Sequence, residues 1–132
     1  MTSQEIKDMV TRTWELFCNG DLKSAFSNMS DDVSWLAPGH LPELSGLHEG
    51  KSGILKFMRK VGSVFPQGLK MEIRKTYCDG NTVVMELVDF GKVSNGKTYE
   101  NDLCFVFEVN DGKIHRIREY SDTQKAADII LS

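Results

Sequence analysis

The sequence predicts one α+β domain in which N-terminal helices pack on one face of a curved antiparallel sheet. Three observations carry this. Apolar residues recur at helical spacing through much of the first half. After residue 68 the chain turns to long strand-like segments, and the junctions between them are rich in Gly, Asn and Asp. The length of 132 residues suits one hydrophobic core, so residues 1–132 are read as a single domain.

The first helix runs from about Ser3 to Asn19, with Ile6, Met9, Val10, Thr13, Leu16 and Phe17 on its apolar face and Thr2 with Glu5 as a capping box. Asn19-Gly20 ends it, and Asp21 caps a short helix through Leu22, Ala25, Phe26 and Met29. Val33 to Ala37 reads as a strand that Pro38-Gly39 breaks into a long loop. A third helix follows from about Lys51 to Phe65, closed by Pro66-Gln67-Gly68. Strands are expected near 69–78, 82–93, 97–109 and 113–122. Their junctions, Asp79-Gly80-Asn81, Ser94-Asn95-Gly96 and Asn110-Asp111-Gly112, supply the positive φ that hairpin turns need. Thr123 to Ser132 forms a short helix or arm, with Asp122 as its start signal.

Charge and cysteine content narrow the function. A net charge of −3 with both signs interspersed gives no field to hold a phosphate backbone, so nucleic acid is not an expected partner. The N-terminus lacks the pattern of a secretory signal and no apolar run is long enough to span a bilayer, which points to a cytoplasmic protein without a membrane role. Cys18, Cys78 and Cys104 form no C-x-x-C pair and read as reduced, half-buried small hydrophobes.

Several segments together resemble the nuclear transport factor 2-like superfamily. They are Trp14-Glu15-Leu16-Phe17-Cys18-Asn19-Gly20-Asp21, Asp31-Asp32-Val33-Ser34-Trp35, the Gly46-x-x-x-Gly50 loop, Asp111-Gly112-Lys113-Ile114 and Glu119-Tyr120-Ser121-Asp122. The order is that of the SnoaL-like branch, which holds polyketide cyclases and is related to ketosteroid isomerases. The resemblance implies a cone-shaped fold with an apolar pocket for a small molecule at its open end. Ketosteroid isomerases need a general-base Asp and an oxyanion hole of a Tyr and a protonated Asp. Those places fall here on Ala37, Thr13 and Phe105, which supply neither base nor donor, so isomerase chemistry of that kind is not expected. The acid that similar cyclases carry in the last strand falls on Glu119, and the pocket His of those cyclases falls on Phe105.

The resemblance turns Ile117, Glu119 and Ser121 inward. Period two adds His115 to that face and sets Arg116, Arg118, Tyr120 and Asp122 on the other. On the preceding strand Asn101, Leu103, Phe105 and Phe107 share the pocket face, with Asn101 able to orient a ligand by one hydrogen bond. Thr13, Trp35, Ala37, Phe57 and Met58 complete the expected wall, and His40 stands in the loop at the mouth. Glu119 among apolar neighbours would have a raised pKa suited to general acid or base work. The leading reading is therefore a cyclase- or isomerase-type protein that uses Glu119 for proton transfer, with no cofactor and no metal. A binding or regulatory domain without chemistry, and a dimeric interaction module, stay open beside it. A sheet apolar on both sides invites a homodimer through its outer face.

Overall fold

The computed structural model describes all 132 residues. Helix α1 (Ser3–Cys18) is started by the expected capping box. The Glu5 backbone N–H donates to Thr2 Oγ1 at 3.1 Å, and the Thr2 N–H donates to Glu5 Oε1 at 2.9 Å. Asp21 caps α2 (Leu22–Ser27) through the Ser24 N–H at 3.2 Å. Strands β1 (Met29–Ala37) and β2 (Gly46–Glu49) follow, then α3 (Gly50–Val64). Four long strands come next: β3 (Leu69–Asp79), β4 (Thr82–Lys92), β5 (Thr98–Asn110) and β6 (Lys113–Ser121). Helix α4 (Thr123–Ile130) closes the chain and is capped by Asp122 through the Lys125 N–H at 3.0 Å.

The six strands form one sheet in the order β2-β1-β6-β5-β4-β3. The meander β3 to β6 is antiparallel as expected, but β1 lies parallel to β6, so the sheet is mixed. The short β2 pairs antiparallel with β1 and turns part of the expected loop into an edge strand. Between β5 and β6 the tight turn holds Asp111 at φ 50° and Gly112 at φ 75°, the two positive angles of a type I′ hairpin.

One face of the sheet carries α1 and α3, and the core lies between. Its centre is Trp14, fully buried, with ring centroids 4.8 Å from Phe17, 4.9 Å from Phe105, 5.0 Å from Phe107 and 5.3 Å from Trp35. Trp14 continues the helical stripe Val10, Trp14, Phe17 and is missing from the apolar face expected of α1. These rings fill the narrow end of the cone. A second, smaller apolar cluster of Phe65, Val93, Tyr99 and Ala126 lies where α4 meets the other end.

The last strand departs from simple alternation. Glu108 pairs with Arg116 but Val109 pairs with Ile114, so a bulge at His115 lets both Ile114 and Ile117 point inward. His115 is consequently half-buried and out of phase with the inner face on which period two set it. Beyond the bulge the phase holds: Tyr120 is 45% exposed on the outer face, and Glu119 stands inward. No helix is long and apolar enough to cross a membrane.

Candidate functional site

Beside the aromatic plug the sheet leaves a cavity in two lobes of about 70 and about 270 Å³, the smaller reaching α4 and the larger running toward Cys18, Gly20 and Leu22. Both lobes are lined by Phe57, Val61, Phe65, Leu69, Asp89 and Glu119. The wall the two lobes share is therefore apolar apart from two carboxyls. Helix α3 supplies Phe57 and Val61 because its apolar stripe faces the sheet, and Leu69 enters from the start of β3. The smaller lobe is closed by Leu41 and Leu44 of the loop after β1 and by Thr123, Ala126 and Ile130 around α4.

Glu119 projects inward from β6. Its Oε1 accepts a hydrogen bond of 2.9 Å from the Trp35 indole N–H, the single protein partner of this carboxyl. Trp35 is itself pinned on edge between Phe57 and Phe105, with centroids 5.2 and 5.6 Å away, so the carboxyl is held at a fixed place where the core ends and the cavity begins. Burial raises its pKa to about 7, partly offset by the Trp35 hydrogen bond, which favours the anion. A carboxyl at that value exchanges a proton readily near neutrality.

Asp89 is the second carboxyl, and it is 4% exposed. Its Oδ1 is buried without a hydrogen-bond partner. Burial first, then the charge of Glu119, pushes its pKa up to about 8. The neighbouring Tyr99 hydroxyl is also raised, by burial and then by Asp89. It accepts a hydrogen bond of 2.8 Å from Asn101 Nδ2, which also donates to the Asp122 carbonyl at 3.1 Å. Asn101 thus ties the start of α4 to the inner face of β5 and spends its amide on the protein.

Of the residues expected in the pocket, Glu119, Trp35, Ala37, Phe57, Met58 and Ser121 line the cavity. Leu103, Phe105 and Ile117 do not, because they belong to the closed core around Trp14. Thr13 is also outside it: its hydroxyl donates to the Met9 carbonyl at 2.7 Å and accepts from Asn28 Nδ2 at 3.0 Å. Asn101 lies beside the cavity rather than in its wall, and His40 is exposed in the loop after β1. The other loop histidine, His48, stacks on Phe57 at 3.9 Å between centroids and so backs the wall from outside. The three cysteines are free and half-buried, and burial raises the Cys18 thiol to about 11.

Asp89 and Tyr99 were not expected in the site, although the signal was present. Asp89 continues the inward series Val83, Met85, Leu87, and Tyr99 continues the series Leu103, Asn101 toward the mouth. A carboxyl in phase with three buried apolar residues is a buried carboxyl.

The family model described as a SnoaL-like domain matches residues 10–117. An NTF2-like protein from Burkholderia xenovorans LB400 shares 25% identity and superposes with a TM-score of 0.83, covering 98% of each chain. TerC, co-crystallised with polyporic acid, also shares 25% identity, with a TM-score of 0.86 over 97% of this chain and 99% of that one. A putative SnoaL-like polyketide cyclase from Jannaschia sp. CCS1 has the same fold at 16% identity, with a TM-score of 0.80 over 98% of this chain and 94% of that one. A search of curated proteins returns no match.

Proposed function

Since the chain belongs to the SnoaL-like domain family, we propose that its cavity binds a small, largely apolar, carbonyl-containing molecule and that Glu119 transfers a proton on it. The observation that carries this is the placement of the Glu119 carboxyl. It is held by the Trp35 N–H in the wall of a mainly apolar cavity, with its other oxygen free of protein partners. As the anion, Glu119 would accept a proton from carbon next to the carbonyl, and as the acid it would return one to the enolate. No redox or group-transfer chemistry is needed for such a step. The polyporic acid of TerC supports the small-molecule part of the reading.

The test uses an enolisable aryl ketone as probe. In D2O the protein should speed deuterium uptake into the methyl group of 4-acetylbiphenyl, followed by proton NMR. Glu119→Gln should lower that rate by about 10²–10⁴-fold, the usual worth of a positioned acid or base. Exchange at the buffer rate with the wild-type protein, or an unchanged rate in the variant, would sink the proposal. If the probe binds but does not exchange, the binding domain without chemistry becomes the better reading.

A second reading concerns assembly and rests on the outer face of the sheet. One register row runs through all six strands as Tyr77, Val84, Val106, Arg118, Leu36 and Leu47. Leu47 and Tyr77 in this row are 55% and 42% exposed, and a row that is apolar except for Arg118 favours pairing with a second copy. Sedimentation velocity should show a dimer that Val106→Glu converts to monomer while Val106→Thr leaves it intact. A wild-type monomer at micromolar concentration would rule this assembly out.

A further inference from the structure

The two carboxyls enter the cavity at different depths. On β5, Phe105 is the register partner of Glu119, and Asn101 is the register partner of Asp89. Those two positions lie four residues apart on β5, which is roughly 13 Å of strand at about 3.3 Å per residue. Glu119 and Asp89 also come from strands on opposite sides of β5. Glu119 therefore stands beside Trp35 and Phe105, whereas Asp89 enters farther along the sheet, two pairs before Gly91 and Tyr99. The wall they share is apolar: Phe57, Val61, Phe65 and Leu69.

Each carboxyl has hydrogen-bonding capacity that the protein leaves unspent. Asp89 Oδ1 is buried with no partner, an arrangement that costs about 1–3 kcal/mol until something satisfies it. Glu119 uses one oxygen on Trp35 and keeps the other. The larger lobe that both of them line, about 270 Å³, suits a flat body of two rings.

Resting on the small-molecule reading above, we infer that the ligand is a two-pole molecule: a flat apolar body with one oxygen function seated on Glu119 and a second, at its far end, seated on Asp89. The protonation states fit this. At neutral pH Asp89, raised to about 8, mostly keeps its proton and donates to a ligand oxygen, while Glu119, at about 7, both donates and accepts. A molecule with a single polar end would satisfy one carboxyl and leave the other facing hydrocarbon. Asp89 is in this scheme a binding and specificity residue at the end of the ligand away from Glu119.

The test is a probe series of biphenyl, 4-hydroxybiphenyl and 4,4′-dihydroxybiphenyl, with binding followed by calorimetry at pH 7. Each hydroxyl should improve the affinity of the wild-type protein by about tenfold, the worth of one hydrogen bond in an enclosed site. In Asp89→Leu, and separately in Glu119→Leu, the diol should bind no tighter than the monophenol. Asp89→Asn, which keeps a hydrogen-bonding end, should retain most of the preference for the diol and controls for damage to the fold. If the wild-type protein binds the diol and the monophenol equally, the two-pole ligand is wrong while the apolar site survives. Failure of all three probes to bind would overturn both the two-pole ligand and the small-molecule site.

Discussion

Trp14→Ala will destabilise the domain by about 3–5 kcal/mol, the usual cost of emptying a buried aromatic site. Trp14 is fully buried and makes ring contacts with Phe17, Trp35, Phe105 and Phe107. Its removal leaves a void that these four rings cannot close together, because each is fixed by its own helix or strand. A domain of this size is stable by roughly 5–15 kcal/mol, so the loss is a large share of the whole. Urea unfolding is the measurement: the midpoint should fall sharply with the slope unchanged. Trp14→Phe should cost far less, since a ring remains and the indole N–H, which is buried without a partner, disappears. A midpoint for Trp14→Ala close to wild type would show that the plug is not the centre of the core.

The second large effect is the dependence of stability on pH. Asp89 and Glu119 have folded pKa values of about 8 and about 7, against ordinary values of 3.8 and 4.5. Both groups hold protons more tightly in the folded chain than in the unfolded one. Their contribution to stability is therefore complete below about pH 4 and is lost as pH rises through 7 and 8. Between pH 5 and 8.5 the melting temperature should fall, by an amount equivalent to a few kcal/mol. Asp89→Asn removes the more strongly shifted group, so the variant should show a flatter profile and exceed wild type at pH 8.5. A wild-type melting temperature that is flat or rising over this range would mean that neither carboxyl is desolvated as described. Glu108, half-buried on the opposite face and held below the usual carboxylate range by its hydrogen bond with Arg118, acts in the opposite sense: its contribution is present at neutral pH and is lost only at acid pH.

The stability profile and the proposed chemistry have one cause. A carboxyl moved out of water and given few partners is costly to ionise, and that cost brings its pKa near neutrality. The protein tolerates the cost at Asp89 and Glu119 because the apolar walls around them form the cavity. Filling that cavity with a ligand that meets both carboxyls would recover part of the lost hydrogen bonding.

Much of the fold could be read locally. The capping box at Thr2 and Glu5, the caps at Asp21 and Asp122 and the Asp111-Gly112 turn depend on residues a few positions apart, and each forms as the sequence indicates. The helices and the four-strand meander follow from apolar spacing of the same short range. What escaped was non-local. Pairing of β1 with β6 joins residues more than 80 positions apart, such as Trp35 with Ile117, and no local pattern reports it. The bulge at His115 is likewise a matter of fit between β5 and β6.

The site divides along the same line. The sequence by itself determined the alternating faces of the strands and, through its resemblance, the inward acid Glu119. The tertiary structure alone decided which inward residues are packed and which face open space. Leu103, Phe105 and Ile117 share their faces with cavity residues, yet they pack into one buried cluster with Trp14 of α1, whose ring meets Phe105. Asp89 is in phase with Val83, Met85 and Leu87, but its depth opposite Glu119 follows from register across three strands. Periodicity fixes the direction of a side chain, because it is a property of the backbone. Whether that direction ends in a ring or in a cavity is a question of volume, which only the assembled elements answer.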